Sequence, residues 1–76
     1  MSSEHLSNQI RRLRFDNGEM TQQQLADKVG VTRQTILAIE AGKYSPSLTL
    51  AFRIAKAFNV SLEDVFQYEQ NDLQPQ

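Results

Sequence analysis

The apolar positions of this 76-residue chain fall at helical spacing and are punctuated by short turn signals. Ile10 and Leu13, with Leu6 ahead of them, share one face of a segment from Ser7 to Asp16. Asn17-Gly18 should end it, because both residues tolerate the left-handed backbone that closes helices. A second segment opens at Thr21, whose hydroxyl can accept from first-turn amides, and Gln24 completes a capping-box pattern. Leu25, Ala26 and Val29 form its inward stripe and Gly30 stops it. Thr32 then caps a third segment running from Arg33 to about Ala41, with Ile36 and Ile39 inward and Gly42 as the stop.

Beyond the loop Lys43-Tyr44-Ser45-Pro46, Ser47 caps a fourth segment that reaches Phe58. Leu48, Ala51, Phe52, Ile54, Ala55 and Phe58 are expected on its buried face. Asn59-Val60 breaks the pattern, and Ser61 with Asp64 opens a short fifth helix through about Phe66. No strand alternation and no internal repeat is read. The expectation is an all-α fold, a compact five-helix bundle containing a helix-turn-helix over residues 6–67, followed by a flexible polar tail over 69–76.

Composition narrows the function classes. Apolar residues make up 39% of the chain, enough for one modest core. No apolar run approaches the roughly 18 residues of a membrane span, and the first residues lack the pattern of a secretory signal. The absence of cysteine excludes a disulfide framework and suits a reducing cytoplasm, where the protein is expected. With His5 as the one histidine, neither a metal nor a cofactor is expected. The net charge of −1 disfavours a nucleic-acid partner until its distribution is considered. Residues 1–60 hold all eight Lys and Arg against five acids, whereas residues 61–76 hold four acids and no base. Such a molecule can turn a basic face to phosphate and an acidic end to solvent.

The informative stretch is Thr21 to Ala41, TQQQLADKVGVTRQTILAIEA. Two short capped helices are joined by a tight turn in which only Val31 separates Gly30 from the next cap. Ala26 allows a close helix crossing, Gly30 supplies the turn's backbone shape, and Val31 plugs the turn into the core. This is the pattern of a helix-turn-helix, whose second helix enters the DNA major groove.

Thr21-Gln22, Leu25-Ala26, Val29-Gly30-Val31-Thr32, Arg33-Gln34-Thr35-Ile36, Ile39-Glu40, Gly42-Lys43, Pro46-Ser47-Leu48 and Val60-Ser61-Leu62 are spaced as in one family. Over residues 10–66 the chain resembles the phage-repressor-like regulators of the Cro and lambda-repressor type, close to their short single-domain bacterial members. The turn from Asp16 to Met20 is one residue longer than is usual there.

The resemblance implies double-stranded DNA as partner, and the chemistry of the matched positions is compatible with it. Arg33 can pair with guanine O6 and N7, and Gln34 with adenine N6 and N7. Thr32 is first a cap, with base contact as a second role. Thr35 can reach a phosphate or a thymine methyl, and Ala38 offers an apolar contact. Gln22 matches a residue that grips phosphate, while Lys43 and Tyr44 stand evenly between phosphate contact and plain surface. The resemblance also implies a structural ion pair between Arg14 and Glu40.

A single such domain meets about half a turn of groove, so a homodimer on a palindromic site is expected. Leu50 lies about 160° around the fourth helix from Leu48 and is a candidate for the dimer interface. Leu62, Phe66 and Tyr68 are further candidates, with core packing as the alternative for Leu62 and Phe66. No nucleophile–base pair, phosphate loop or ligand cluster supports an enzyme, and no small-molecule ligand is evident. The rival reading is a protein-interaction module such as an antitoxin.

Overall fold

The computed structural model of the protein describes residues 4–70. Its elements run β1 (Glu4–Asn8), α1 (Ile10–Asp16), α2 (Gln22–Val29), α3 (Arg33–Glu40), α4 (Leu48–Phe58), α5 (Leu62–Val65) and β2 (Phe66–Gln70). The five helices form a bundle around a core of Ile10, Leu25, Ile36, Ile39, Ile54 and Val65, all fully buried. Leu13, Met20, Val31, Val60 and Leu62 close its margins.

Local chemistry sets the helix boundaries. The Thr21 hydroxyl accepts from the Gln24 amide and the Gln24 side chain accepts from the Thr21 amide, so both halves of the box form. Thr32 and Ser47 accept from the amides of Thr35 and Leu50, and Ser61 forms a second complete box with Asp64. Each such cap contributes about 1 kcal/mol by satisfying amides the helix leaves unpaired. Gly30 ends α2 at φ 79. A Cβ there would meet nothing nearer than 3.7 Å, so the backbone conformation and not crowding favours glycine.

Three expectations need correction. First, the expected five-helix bundle with its helix-turn-helix is present, but a two-stranded sheet is added to it. β1 and β2 pair antiparallel, Leu6 opposite Tyr68 and Asn8 opposite Phe66. Ser7 therefore lies in a strand, α1 starts at Ile10, and Phe66 leaves α5 to begin β2. Glu69 and Gln70, expected in a tail, belong to that strand, and residues 71–76 lie outside the described residues. A lone two-stranded sheet is marginal in water. This one leans on the bundle through buried Phe66, and Asn8 ties it down by donating to the Ile39 carbonyl (3.1 Å) and accepting from the Ile10 amide (3.2 Å).

Second, α4 is rotated from the expected orientation. Leu50 is only 8% exposed, whereas Leu48 and Phe52 are 66% and 54% exposed. At 100° per residue the buried arc centres on Ala51, Ile54 and Phe58 and takes in Leu50. Leu48 and Phe52 form a ridge one turn long at its margin. Third, the turn after α1 uses Gly18 and Glu19 at positive φ, whereas Asn17 has φ −104. Glu19 thus takes a left-handed conformation in this turn.

Candidate nucleic-acid interface

Helix α3 presents two unlike faces. Ile36 and Ile39 are buried in the core, while Arg33, Gln34, Leu37 and Ala41 are exposed and Ala38 is half-exposed. These five positions follow helical spacing, so they lie along one outward stripe. Arg33 and Gln34 stand at its N-terminal end, where their forked and amide groups are unobstructed. Leu37 is an addition to the expected set. It lies one turn beyond Arg33 on the same stripe.

Thr32 and Thr35 are engaged with each other. The Thr32 hydroxyl accepts from the Thr35 amide at 3.3 Å, and the two hydroxyls lie 3.2 Å apart. Either one can rotate its hydrogen outward, since a hydroxyl both donates and accepts. Lys43 and Tyr44 are exposed in the loop that follows α3. That loop borders a shallow cleft lined by Leu6, Asn8, Ile39, Tyr44, Pro46 and Phe66, so the sheet sits directly behind it.

At the other end of the motif, Gln22 opens α2 and is half-buried. Its side-chain amide donates to Glu40 Oε1 at 3.1 Å. Glu40 is also held by Arg14 through a fork, Nε to Oε2 at 2.7 Å and Nη2 to Oε1 at 3.1 Å. The remaining guanidinium nitrogen of Arg14, Nη1, donates to the Met20 carbonyl at 2.9 Å. The Arg14 and Glu40 side chains are 15% and 12% exposed, so this is a largely desolvated pair with its hydrogen bonds satisfied. It joins α1 to α3, and Gln22 adds α2 to the same node.

The electrostatics of the helix ends sharpen the picture. The first turns of α2 and α3 contain no acid, although a carboxylate there is favoured by the helix dipole. Their free amides therefore meet no protein carboxylate in the first turn. Arg33 adds a cation at the start of α3.

Of the proposed dimer residues, the structure buries Leu50 and Phe66 in the core, leaves Leu62 partly buried against it, and exposes Tyr68. Leu50 corrects the expectation of an outward position. The exposed apolar ridge on α4 is Leu48 and Phe52 instead. Among the described residues no cluster of His, Cys, Asp or Glu could hold a metal. No described helix is long and apolar enough to cross a membrane.

A helix-turn-helix family model matches residues 10–65, from the start of α1 to the end of α5. The chain belongs to this helix-turn-helix family. It is 62% identical over 53 residues to an uncharacterized HTH-type transcriptional regulator of Methanocaldococcus jannaschii, covering 70% of this chain and 80% of that one. Against a regulator of the same description from Bacillus subtilis it is 48% identical over 67 residues, 88% of this chain and 100% of the other. Both relatives are named as HTH-type transcriptional regulators. They span archaea and bacteria, so the likeness does not single out the Cro and lambda-repressor branch. A crystal structure of a candidate DNA-binding protein from Bacteroides fragilis superposes with a TM-score of 0.70 at 24% identity, covering 82% of this chain and 98% of that one. At that identity the likeness concerns the fold alone.

Proposed function

We propose that this helix-turn-helix protein is a cytoplasmic, sequence-specific regulator of transcription, a repressor of the Cro and lambda-repressor kind that binds a palindromic operator as a homodimer. The observation that carries the reading is the exposed Arg33–Gln34 tip at the start of the second helix of the helix-turn-helix. The names of the relatives, HTH-type transcriptional regulators, support it. Helix α3 lies in the major groove. Arg33 and Gln34 read base edges, while Leu37 and Ala38 meet thymine methyls. Gln22, Lys43 and Tyr44 hold phosphates on either side, with Thr32 and Thr35 at the entry point.

The dimer follows from geometry: one reading helix carries too few base contacts for operator specificity. A second copy places its helix about 34–36 Å away on the same face of the duplex. Leu48 and Phe52, with Tyr68, are the apolar surface for that contact, since Leu50 and Phe66 are occupied within the monomer. The same ridge favours one competing reading, a module that captures a different protein and binds DNA weakly or not at all.

Binding to a selected site distinguishes them. Separating the half-sites by about 5 bp more rotates one to the far side of the duplex and abolishes cooperative binding. Phe52→Asp gives the same loss on the unaltered site while the monomer stays folded. A protein that saturates DNA as a monomer, with a footprint of one half-site, contradicts the dimer. Failure to retain any duplex at low salt contradicts the regulator.

A further inference from the structure

We infer that Glu40 is a positioning residue for DNA: it holds the Gln22 side chain in the orientation that grips phosphate, with Arg14 keeping that carboxylate neutralised. The inference rests on the reading of Gln22 as a phosphate contact and adds to it a residue that itself touches no nucleic acid.

The argument starts from hydrogen-bond polarity. An ionised carboxylate only accepts, so the Gln22 amide must turn its nitrogen, not its oxygen, toward Glu40 Oε1, 3.1 Å away. One amide hydrogen is thereby committed. The second hydrogen on the same nitrogen is left to donate elsewhere, and a phosphate oxygen accepts from it. Without Glu40 the amide samples both flips and several rotamers, and an ordered contact must offset that entropy, on the order of 1.5–2 kcal/mol for a glutamine. Pre-ordering in the free protein removes part of this cost from binding.

A bare carboxylate beside a phosphate contact would repel the DNA. The Arg14 fork prevents this, and its third bond to the Met20 carbonyl ties the arrangement to the turn that leads into α2. Oε1 thus accepts from both Arg14 and Gln22. A single ion pair serves as the tie between α1 and α3 and as the rest for a DNA-contacting side chain.

The test removes the node without changing net charge. Arg14→Met with Glu40→Met replaces the pair by apolar groups, a type of exchange that buried ion pairs often tolerate without loss of stability. Affinity for the selected operator is measured for the wild type, this pair variant, Gln22→Ala and the triple variant, with melting temperature as the control for folding. Gln22→Ala is expected to weaken binding about tenfold, the value of a hydrogen bond to a charged group. The pair variant should lose about threefold to tenfold although its net charge is unchanged. The triple variant should be no weaker than Gln22→Ala.

Losses that multiply, or full affinity in the pair variant, overturn the inference while leaving Gln22 as a contact. Full affinity in Gln22→Ala overturns the phosphate grip itself, and the inference with it. A second measurement needs no variant. The order parameter of the Gln22 side-chain amide in the free protein should approach that of rigid backbone, about 0.85, whereas a value below about 0.6 contradicts pre-ordering.

Discussion

The N-termini of α2 and α5 are closed by the same device and carry opposite electrostatics. Thr21 with Gln24 and Ser61 with Asp64 both form complete capping boxes. At α5 the first turn is Glu63-Asp64, and the dipole of even a short helix gains from negative charge there. At α2 the reaching side chain is an uncharged glutamine, and at α3 the first residue is Arg33. Among the five helices only α5 takes this gain of about 0.3–1 kcal/mol, since the first turns of α1 and α4, like those of α2 and α3, carry no acid. Under the proposed function, a carboxylate at the start of α2 or α3 would repel an approaching phosphate.

Breaking the support behind α2 and α3 should have the largest effect. Glu40→Ala leaves Arg14 desolvated without its partner and should cost about 3 kcal/mol of stability, read as a fall in melting temperature. The equivalent truncation at α5, Asp64→Ala, removes only an exposed cap and should cost about 1 kcal/mol. Equal costs at the two sites would mean that the Arg14–Glu40 node is no stronger than a surface cap.

Exchanging the charge sharpens the comparison. Gln24→Glu gives α2 the carboxylate that α5 has, keeps the capping box, and should raise the stability of the free protein by about 0.5 kcal/mol. It should also weaken DNA binding, by roughly 1 kcal/mol at low salt and less as salt rises. A variant that gains stability and keeps its affinity would show that no phosphate approaches this helix end.

The smallest effect concerns the turn between α1 and α2. Glu19 has φ 57, which costs about 1 kcal/mol for a residue with a Cβ. Glu19→Gly removes that strain but adds unfolded-state entropy, so a net gain of about 0.5 kcal/mol is expected in chemical denaturation. A loss instead would place the turn's value in the Glu19 side chain.

These contrasts explain which features were legible in the chain. Thr21, Gln24, Thr32, Ser47 and Ser61 accept from amides three residues away, so the helix starts could be read directly. The sheet could not be read this way. Phe66-Gln67-Tyr68-Glu69 does alternate as a strand, but Glu4–Asn8 offers one apolar residue, and the pairing of Leu6 with Tyr68 joins segments about sixty residues apart. Asn8, which caps the end of α3, was missed with it. Helix α4 failed for a related reason. Its apolar residues, Leu48, Leu50, Phe52, Ile54 and Phe58 among them, extend around most of the circumference, and packing against α2 and α5 rather than periodicity selects the buried arc. The Gln22–Glu40 contact spans eighteen residues and carries no local signature. Arg33 and Gln34 needed only the start of α3 to be located.

The central claim, that the tip of α3 reads bases, is tested most directly by selecting bound sequences from random duplex DNA with the wild type and with Arg33→Ala. The wild type should enrich an inverted repeat with half-site centres about 10 bp apart and a guanine at a fixed place in each half. The variant should enrich the same repeat with that guanine preference lost and affinity lower by roughly 1–3 kcal/mol. Enrichment of one unchanged consensus by both proteins, or of none by the wild type, would contradict the claim.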